Sequence, residues 1–288
     1  GSRNRGKDNV KTFARIEMNI ISLGAGVQSS TMALMAAHGE IEPRPDCAIF
    51  ADTQWEPKQV YKHLDWLEKQ LPFPVYRVSS GNIREDAIHN HVERANGKQR
   101  FPAIPWFLSN GGMGRRQCTY DYKIQPVYKK VRSLLGYKPR QRIPIDSVKL
   151  WMGISTDEAG RMKPSRERWI ENIWPLIDME MSRANCISWF GRNYPDKTLS
   201  KSACIGCPFH NDALWREMKM NDPESFSDAI YVDRMIRDGG THKGEKSIQA
   251  KQYMHRSLQP LDEVDFRNLE DKGQLNMFNN ECEGMCGV

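Results

Sequence analysis

A chain of 288 residues with 39% hydrophobic and 27% charged side chains can bury a substantial core without disulfide staples, and that composition excludes wholesale disorder. Forty-two Lys and Arg against 36 acids leave +6, which favours anionic ligands without singling out nucleic acid. No apolar run is long enough to span a bilayer, and the polar stretch through Lys11 lacks the apolar middle of a signal peptide, so a cytoplasmic protein without membrane contact is expected.

After a polar arm over residues 1–17, apolar runs bounded by turn residues predict buried strands at 19–23, 47–51, 75–78, 148–154 and 173–177. Between them, residues 29–37 and 58–71 read as helices, the second repeating Val60, Leu64, Leu67 and Leu71 at helical spacing. This alternation predicts an α/β fold with a Rossmann-like, doubly wound parallel sheet whose ligands sit at the carboxyl ends of the strands. From 81 to 116 the pattern is irregular and ends in Asn110-Gly-Gly-Met-Gly-Arg-Arg116, which suits a mobile basic loop, a candidate lid. Residues 120–135, 212–220 and 223–237 read as helices. The expected organisation is a nucleotide-binding domain over 18–200, a cysteine-bearing helical C-terminal lobe over 201–278 and a cysteine-containing tail over 279–288.

The most informative segment runs from Ser22 to Thr31, Ser-Leu-Gly-Ala-Gly-Val-Gln-Ser-Ser-Thr, between the first strand and its helix. Glycines there let the backbone approach an anion, and the helix start offers free amide donors at a positive dipole end. Ser29, Ser30 and Thr31 add hydroxyl donors. An ordinary tight strand-to-helix turn would use the same glycines, and neither the GxxxxGK[ST] nor the GxGxxG pattern is present. Two further strand ends are polar: Asp52, Thr53 and Glu56 after the second strand, and Gly153 to Arg161, with Asp157 and Glu158, after the fourth. Polar side chains on one carboxyl edge can bind a ribose or a magnesium ion.

Seven cysteines without an export signal read as reduced thiols or metal ligands rather than a disulfide framework. Cys204-Ile-Gly-Cys207 puts two thiolates within reach of one metal, and a structural zinc site would use the same pattern. Cys118 lies 86 residues before Cys204, beside Arg115, Arg116 and Lys123, basic groups able to bind phosphate or stabilise a thiolate. Cys47 and Cys186 read as core residues.

Taken together, these segments resemble the phosphoadenosine phosphosulfate (PAPS) reductase family within the PP-loop ATP pyrophosphatases, which have the adenine nucleotide alpha-hydrolase-like fold. Gly24-Ala-Gly-Val-Gln-Ser29 is similar to the family's SGGxDS at the second glycine and last serine, with Gly24 and Gln28 departing from it. Asp52-Thr53 is similar to its DTG, and Gly153-Ile-Ser-Thr-Asp-Glu158 with Arg161 to its GIRxDExxxR. The resemblance implies ATP or PAPS held by Ser22, Gly24, Gly26, Gln28, Ser29, Ser30, Asp52, Thr53, Gly153, Asp157 and Glu158, with catalytic roles for Asp52 and Arg161. It also implies an iron-sulfur cluster, 4Fe-4S, on Cys118, Cys204 and Cys207; Thr119 stands where the family has a second adjacent cysteine. In the tail, Glu281-Cys-Glu-Gly-Met-Cys286 resembles the reductases' ECG, which makes Cys282 a candidate nucleophile and Cys286 a candidate fourth ligand.

The expected function is therefore a sulfur-metabolism enzyme that binds an adenine nucleotide and transfers sulfur to an adenylated acceptor, a nucleobase in RNA or DNA being one candidate. Alternatives are a PAPS reductase releasing sulfite and a degenerate nucleotide sensor or zinc-stabilised nucleic-acid adaptor. A sulfur donor or thiol reductant protein is an expected partner, and a homo-oligomer stays open. Arg115, Arg116, Arg161, Lys163, Arg166 and Arg168 are expected around the nucleotide edge, as a second phosphate pocket or a polynucleotide track.

Overall fold

In a computed structural model, residues 17–90, 92–93, 99–100, 104–199, 202–240 and 250–266 are described. Strand β1 (Met18–Leu23) leads into helix α1 (Val27–Ala37), β2 (Cys47–Ala51), α2 (Lys58–Gln70), β3 (Val75–Val78) and α3 (Ile83–His89). Two-residue strands β4 (Val92–Glu93), β5 (Gln99–Arg100) and β6 (Phe107–Leu108) precede α4 (Gln125–Leu134). The sheet is completed by β7 (Val148–Met152) and β8 (Ile170–Ile173), followed by α5 (Pro175–Asp178), α6 (Arg183–Asn193), α7 (Asp212–Asn221), α8 (Pro223–Ile236) and β9 (Gln252–Tyr253).

Five strands form one sheet in the order β3-β2-β1-β7-β8, every pair parallel. The chain winds outward from β1 through β2 to β3, then returns to the other side of β1. That reversal opens a crevice at the carboxyl ends of β1 and β7, the place where open α/β sheets take ligands. This is the expected Rossmann-like, doubly wound α/β architecture.

Side chains alternate between two dry layers, as the two-residue period of a strand requires. Ile21, Leu23, Ala48, Phe50 and Trp151 pack with α1, α2 and α6; Ile20, Cys47, Ile49, Val148 and Leu150 pack with α4. Helix α2 belongs to the first layer because Val60, Leu64 and Leu67, all fully buried, share one face. Each contributes ~1.5–3 kcal/mol through burial, and Pro72 ends the helix by forcing Leu71 into extended backbone. Cys47 and Cys186 are buried in these layers.

Where propensity was weak, local caps decide. Asn82 accepts from the Arg84 and Glu85 amides at 3.0 and 3.3 Å and starts α3 inside the stretch expected to be irregular. Ser182 and Asn185 form a reciprocal cap that starts α6, which the sequence pattern did not predict. The fifth strand lies at Ile170–Ile173 rather than 173–177, because Pro175 opens a short helix there. The basic loop after Asn110 is tied down rather than open: Leu108 and Gly112 pair by backbone, Gly114 donates to Trp106, and Ser109 donates to Lys251. Its left-handed turn uses Gly111 and Gly112.

A third core, the helical lobe, gathers Trp215, Phe226, Ala229, Val232 and Ile236 from α7 and α8 with Trp55, Ile83, Ala87, Trp106 and Tyr122. The lobe is thus built from both halves of the chain and closes over the carboxyl ends of β2 and β3.

Candidate functional site

In the loop after β1 the left-handed position falls on an alanine rather than a glycine. Ala25, wholly buried, takes the left-handed conformation at φ 56°, whereas Gly26 is extended at φ −97°. A non-glycine residue held there costs roughly 1–2 kcal/mol, the kind of strain that persists where surrounding structure imposes it. The Ser29 hydroxyl imposes it here, accepting from the Gly24 amide at 3.2 Å and the Gly26 amide at 3.3 Å. Gly153, at the end of β7, explains the tightness. A Cβ there would stand 2.8 Å from both the N and Cα of Ser29, so only glycine lets the fourth strand end abut the loop.

Gln28 is fully buried and anchors a polar network across the crevice. Its amide donates to Ser155 Oγ at 3.3 Å and Glu158 Oε2 at 3.1 Å, and accepts from Arg183 at 2.8 Å. Arg161 binds the other oxygen of Glu158 at 2.6 Å, and the Arg183 amide caps Asp157 at 2.9 Å. Burial pushes the Asp157 carboxyl up, but the hydrogen bonds from Ser155 and the Arg183 amide outweigh it and hold the group below its usual range. Gln28, Asp157, Glu158, Arg161 and the Gly153 turn are therefore brought together. Arg183, from unpredicted α6, joins them.

Ser30 is a correction. Its hydroxyl, fully buried, meets His63 Nε2 at 2.9 Å on the α2 side of the helix, and Thr31 turns to the Cys186 carbonyl, so neither faces the crevice. Burial lowers His63 to about 4, keeping the ring neutral at neutral pH. At the β2 end, Asp52 Oδ1 accepts from the Gln54 amide at 2.7 Å and the Tyr61 hydroxyl at 2.8 Å.

Ser22, Gly24, Ala51, Glu56, Lys123 and Ser202 line a cleft between the ends of β1 and β2. Lys123 also lines an adjoining pocket with Thr53, Trp106, Cys118, Thr119, Cys204 and Cys207. The wall between the two is a buried cluster. Thr53 donates to Glu56 Oε1 at 3.1 Å, the Cys204 thiol reaches the same oxygen at 3.5 Å, and Lys123 Nζ lies 3.8 Å away. Burial, with the Glu56 charge second, pushes the Cys204 thiol well up, while Lys123 pulls it down. In this arrangement the Cys204 thiol donates to the Glu56 carboxylate.

The three predicted metal ligands Cys118, Cys204 and Cys207 thus share one pocket. Among the described residues, however, no group of three or more His, Cys, Asp or Glu side chains is placed to hold one metal ion. The donor set is soft enough for iron-sulfur or zinc chemistry, but its present arrangement does not fit a preassembled centre. Cys282 and Cys286 lie outside the described residues.

Lys123 and Glu56 form a buried contact that the sequence did not show. Lys123 is expected from the sequence, with Arg115 and Arg116, to bind phosphate or stabilise a thiolate, but the chain at Tyr120–Ile124 forms a π-helical turn rather than the start of a regular helix. Such turns are frequent at functional sites, and this one belongs to an element that buries Lys123 to 6% exposure. A lysine between Tyr122 and Ile124 was the available signal. Arg166 and Arg168 do not belong to this edge: they precede β8 and lie at the opposite, amino-terminal end of the sheet, where the Arg168 carbonyl accepts from the Asp146 amide.

No helix among the described residues is long and apolar enough to cross a membrane. No protein-family model matches the chain. An uncharacterised 37.8 kDa protein of Escherichia phage 186, from the gpa 5' region, is 32% identical over 99 residues, 34% of this chain. That stretch spans about a quarter (26%) of the phage protein's length. A PAPS reductase from Candida auris, solved as a phosphate complex, is similar over 64% of this chain and 75% of its own, at 14% identity and a TM-score of 0.35.

Proposed function

We propose that this chain is an adenine-nucleotide-binding enzyme of sulfur chemistry, with phosphates held at Gly24 to Ser29 and sulfur handled by the thiols of the adjoining pocket. The observation that carries the reading is Lys123, which lines both the strand-end cleft and the pocket of Cys118, Cys204 and Cys207. One ammonium can serve a phosphate oxygen on one side and favour a thiolate on the other. In this reading Ser22, Gly24, Gly26 and Ser29 bind the nucleotide, Asp52 and Thr53 bind the ribose, and the Glu158–Arg161 pair with Asp157 closes the far side. The leading reaction activates an acceptor oxygen as an adenylate; sulfide supplied by a sulfur donor and held in the thiol pocket then attacks the carbon bearing that oxygen, forming the carbon–sulfur bond as the carbon–oxygen bond breaks and AMP leaves with the oxygen. A nucleobase is the candidate acceptor, and a magnesium ion on the acids of this edge is part of the expectation.

A second reading, reduction of a sulfonucleotide such as PAPS, draws support from Gln28. A neutral amide held between Glu158 and Arg183 removes a negative charge from the loop where ATP cleavage with a metal would use one. Cys282 is the expected nucleophile in that case.

Mixing the full chain with ATP or PAPS and following pyrophosphate against sulfite separates the two. Pyrophosphate formed only with an added acceptor supports transfer, and sulfite from PAPS with a dithiol supports reduction. Binding of neither nucleotide overturns both. Iron, sulfide and zinc analysis of anaerobically purified protein decides whether the three cysteines act as ligands or as free thiols.

A further inference from the structure

Away from the cleft, the amino-terminal edge of the sheet carries a groove lined by Arg132, Gln141, Arg142, Arg166, Arg168 and Trp169. We propose that this groove docks the phosphate backbone of nucleic acid, independently of the nucleotide site.

Its arginines differ from six others in how their charge is met. Arg77 pairs with Asp65 and Glu68, Arg84 with Asp228, Arg161 with Glu158, Arg234 with Asp262, Arg237 with Asp233 and Arg256 with Asp212. Among the described residues, none of Arg132, Arg142, Arg166 and Arg168 has a carboxylate partner. Glu167, the acid within the groove, is engaged by the Trp169 indole N–H at 2.8 Å. Arg132 is fixed by the Lys138 and Gln141 carbonyls at 3.2 and 2.7 Å and sits over the Trp169 ring at 5.7 Å, contacts that orient its guanidinium without neutralising it. The two segments forming the rims, 138–146 and 163–169, hold Lys138, Arg140, Arg142, Lys163, Arg166 and Arg168 against Asp146 and Glu167.

Like charges gathered in a concave surface repel one another and concentrate anions. Several exposed guanidinium groups strung along a groove match a repeating phosphodiester better than a single small anion, because each can take a phosphate bidentately. Trp169 is only 6% exposed and already under Arg132, so it offers no face for a base. Recognition is therefore of backbone rather than sequence, and its affinity follows salt. The five residues of β7 separate this edge from the nucleotide cleft by about 16 Å at ~3.3 Å per residue, so the two ligands do not compete.

The test is fluorescence anisotropy of the full chain with a labelled single-stranded oligonucleotide and its duplex across a salt series. R142A/R166A/R168A is expected to weaken binding on the order of tenfold or more at low salt and to lower the log–log salt slope by about 2, at ~0.7–0.9 per lost contact. A variant with three exposed basic residues changed elsewhere, R44A/K69A/R192A, is expected to bind as the parent does. Unfolding midpoints of all three proteins exclude a folding defect. The proposal is overturned if the parent binds no nucleic acid, if both variants lose affinity equally, or if inorganic phosphate competes as well as the oligonucleotide. ATP binding, measured alongside, is expected to be the same in all three; its absence from the parent would count against the nucleotide site alone.

Discussion

At the carboxyl edge of the sheet, charge is interlocked: Arg161 with Glu158, Arg183 with Gln28, Lys123 with Glu56, each partly or wholly out of water. The amino edge holds Arg132, Arg142, Arg166 and Arg168 in an open groove where, among the described residues, none of them is paired with a carboxylate and the lining acid, Glu167, accepts from the Trp169 indole. The same residue type therefore does two different things. Interlocked groups fix geometry, which reaction chemistry needs, whereas unpaired exposed groups keep their field available for a large anion.

The largest expected effect is at the interlocked edge. Lys123→Met leaves Glu56, whose side chain is 1% exposed, without its ammonium partner and is expected to cost ~3–5 kcal/mol. Adding Glu56→Gln should restore much of that in urea denaturation. If the single variant is as stable as the double, the pair is not interlocked and the contrast between the edges fails.

Acid should act next, through the support beneath the loop. His63 falls from 6.5 in the unfolded chain to about 4 in the fold, so the unfolded state binds the extra proton between these values. Stability is then full above pH 6.5 and falls by up to ~3 kcal/mol as pH drops toward 4. His63→Gln should flatten that part of the pH–stability profile while keeping a partner for Ser30. A parent profile that is level between these limits would sink the prediction.

Gly153→Ala probes the contact between β7 and the loop. The added Cβ meets backbone at 2.8 Å, so the loop must shift, at an expected ~1–3 kcal/mol and with a clear loss of nucleotide affinity in equilibrium binding. Unchanged affinity would mean that the Ser29 turn is not the phosphate site. The smallest effect belongs to the open edge: R142A/R166A/R168A should change the unfolding free energy by no more than ~0.5 kcal/mol per site, because exposed arginines without carboxylate partners hold nothing together. A larger loss would show that these charges are structural after all.

Much of the fold was legible because its signals are local. Cys47–Ala51 and Val75–Val78 are apolar runs between turn residues, and α2 shows its face at positions 60, 64 and 67; each matches the structure at its bounds or within one residue. The segment 173–177 misled because an apolar run of that length suits a strand or a helix start, and Pro175 selects the helix. Helix α6 was missed because Ser182 and Asn185 cap a sequence whose small and aromatic residues give little periodicity.

For the site, the sequence by itself determined which strand ends are polar, where the glycine-rich loop falls and which cysteines are spaced as a pair, since all of these are set by residue type and order. Only the tertiary structure decided that Ala25 carries the strain, that Ser30 turns to His63, that Arg166 and Arg168 lie on the far edge, and that Lys123 joins the cleft to the thiol pocket. The reason is directional. A sequence states that a side chain is present, but a helix's rotation and a strand's end decide which way it points, and those are settled by packing between elements distant in the chain.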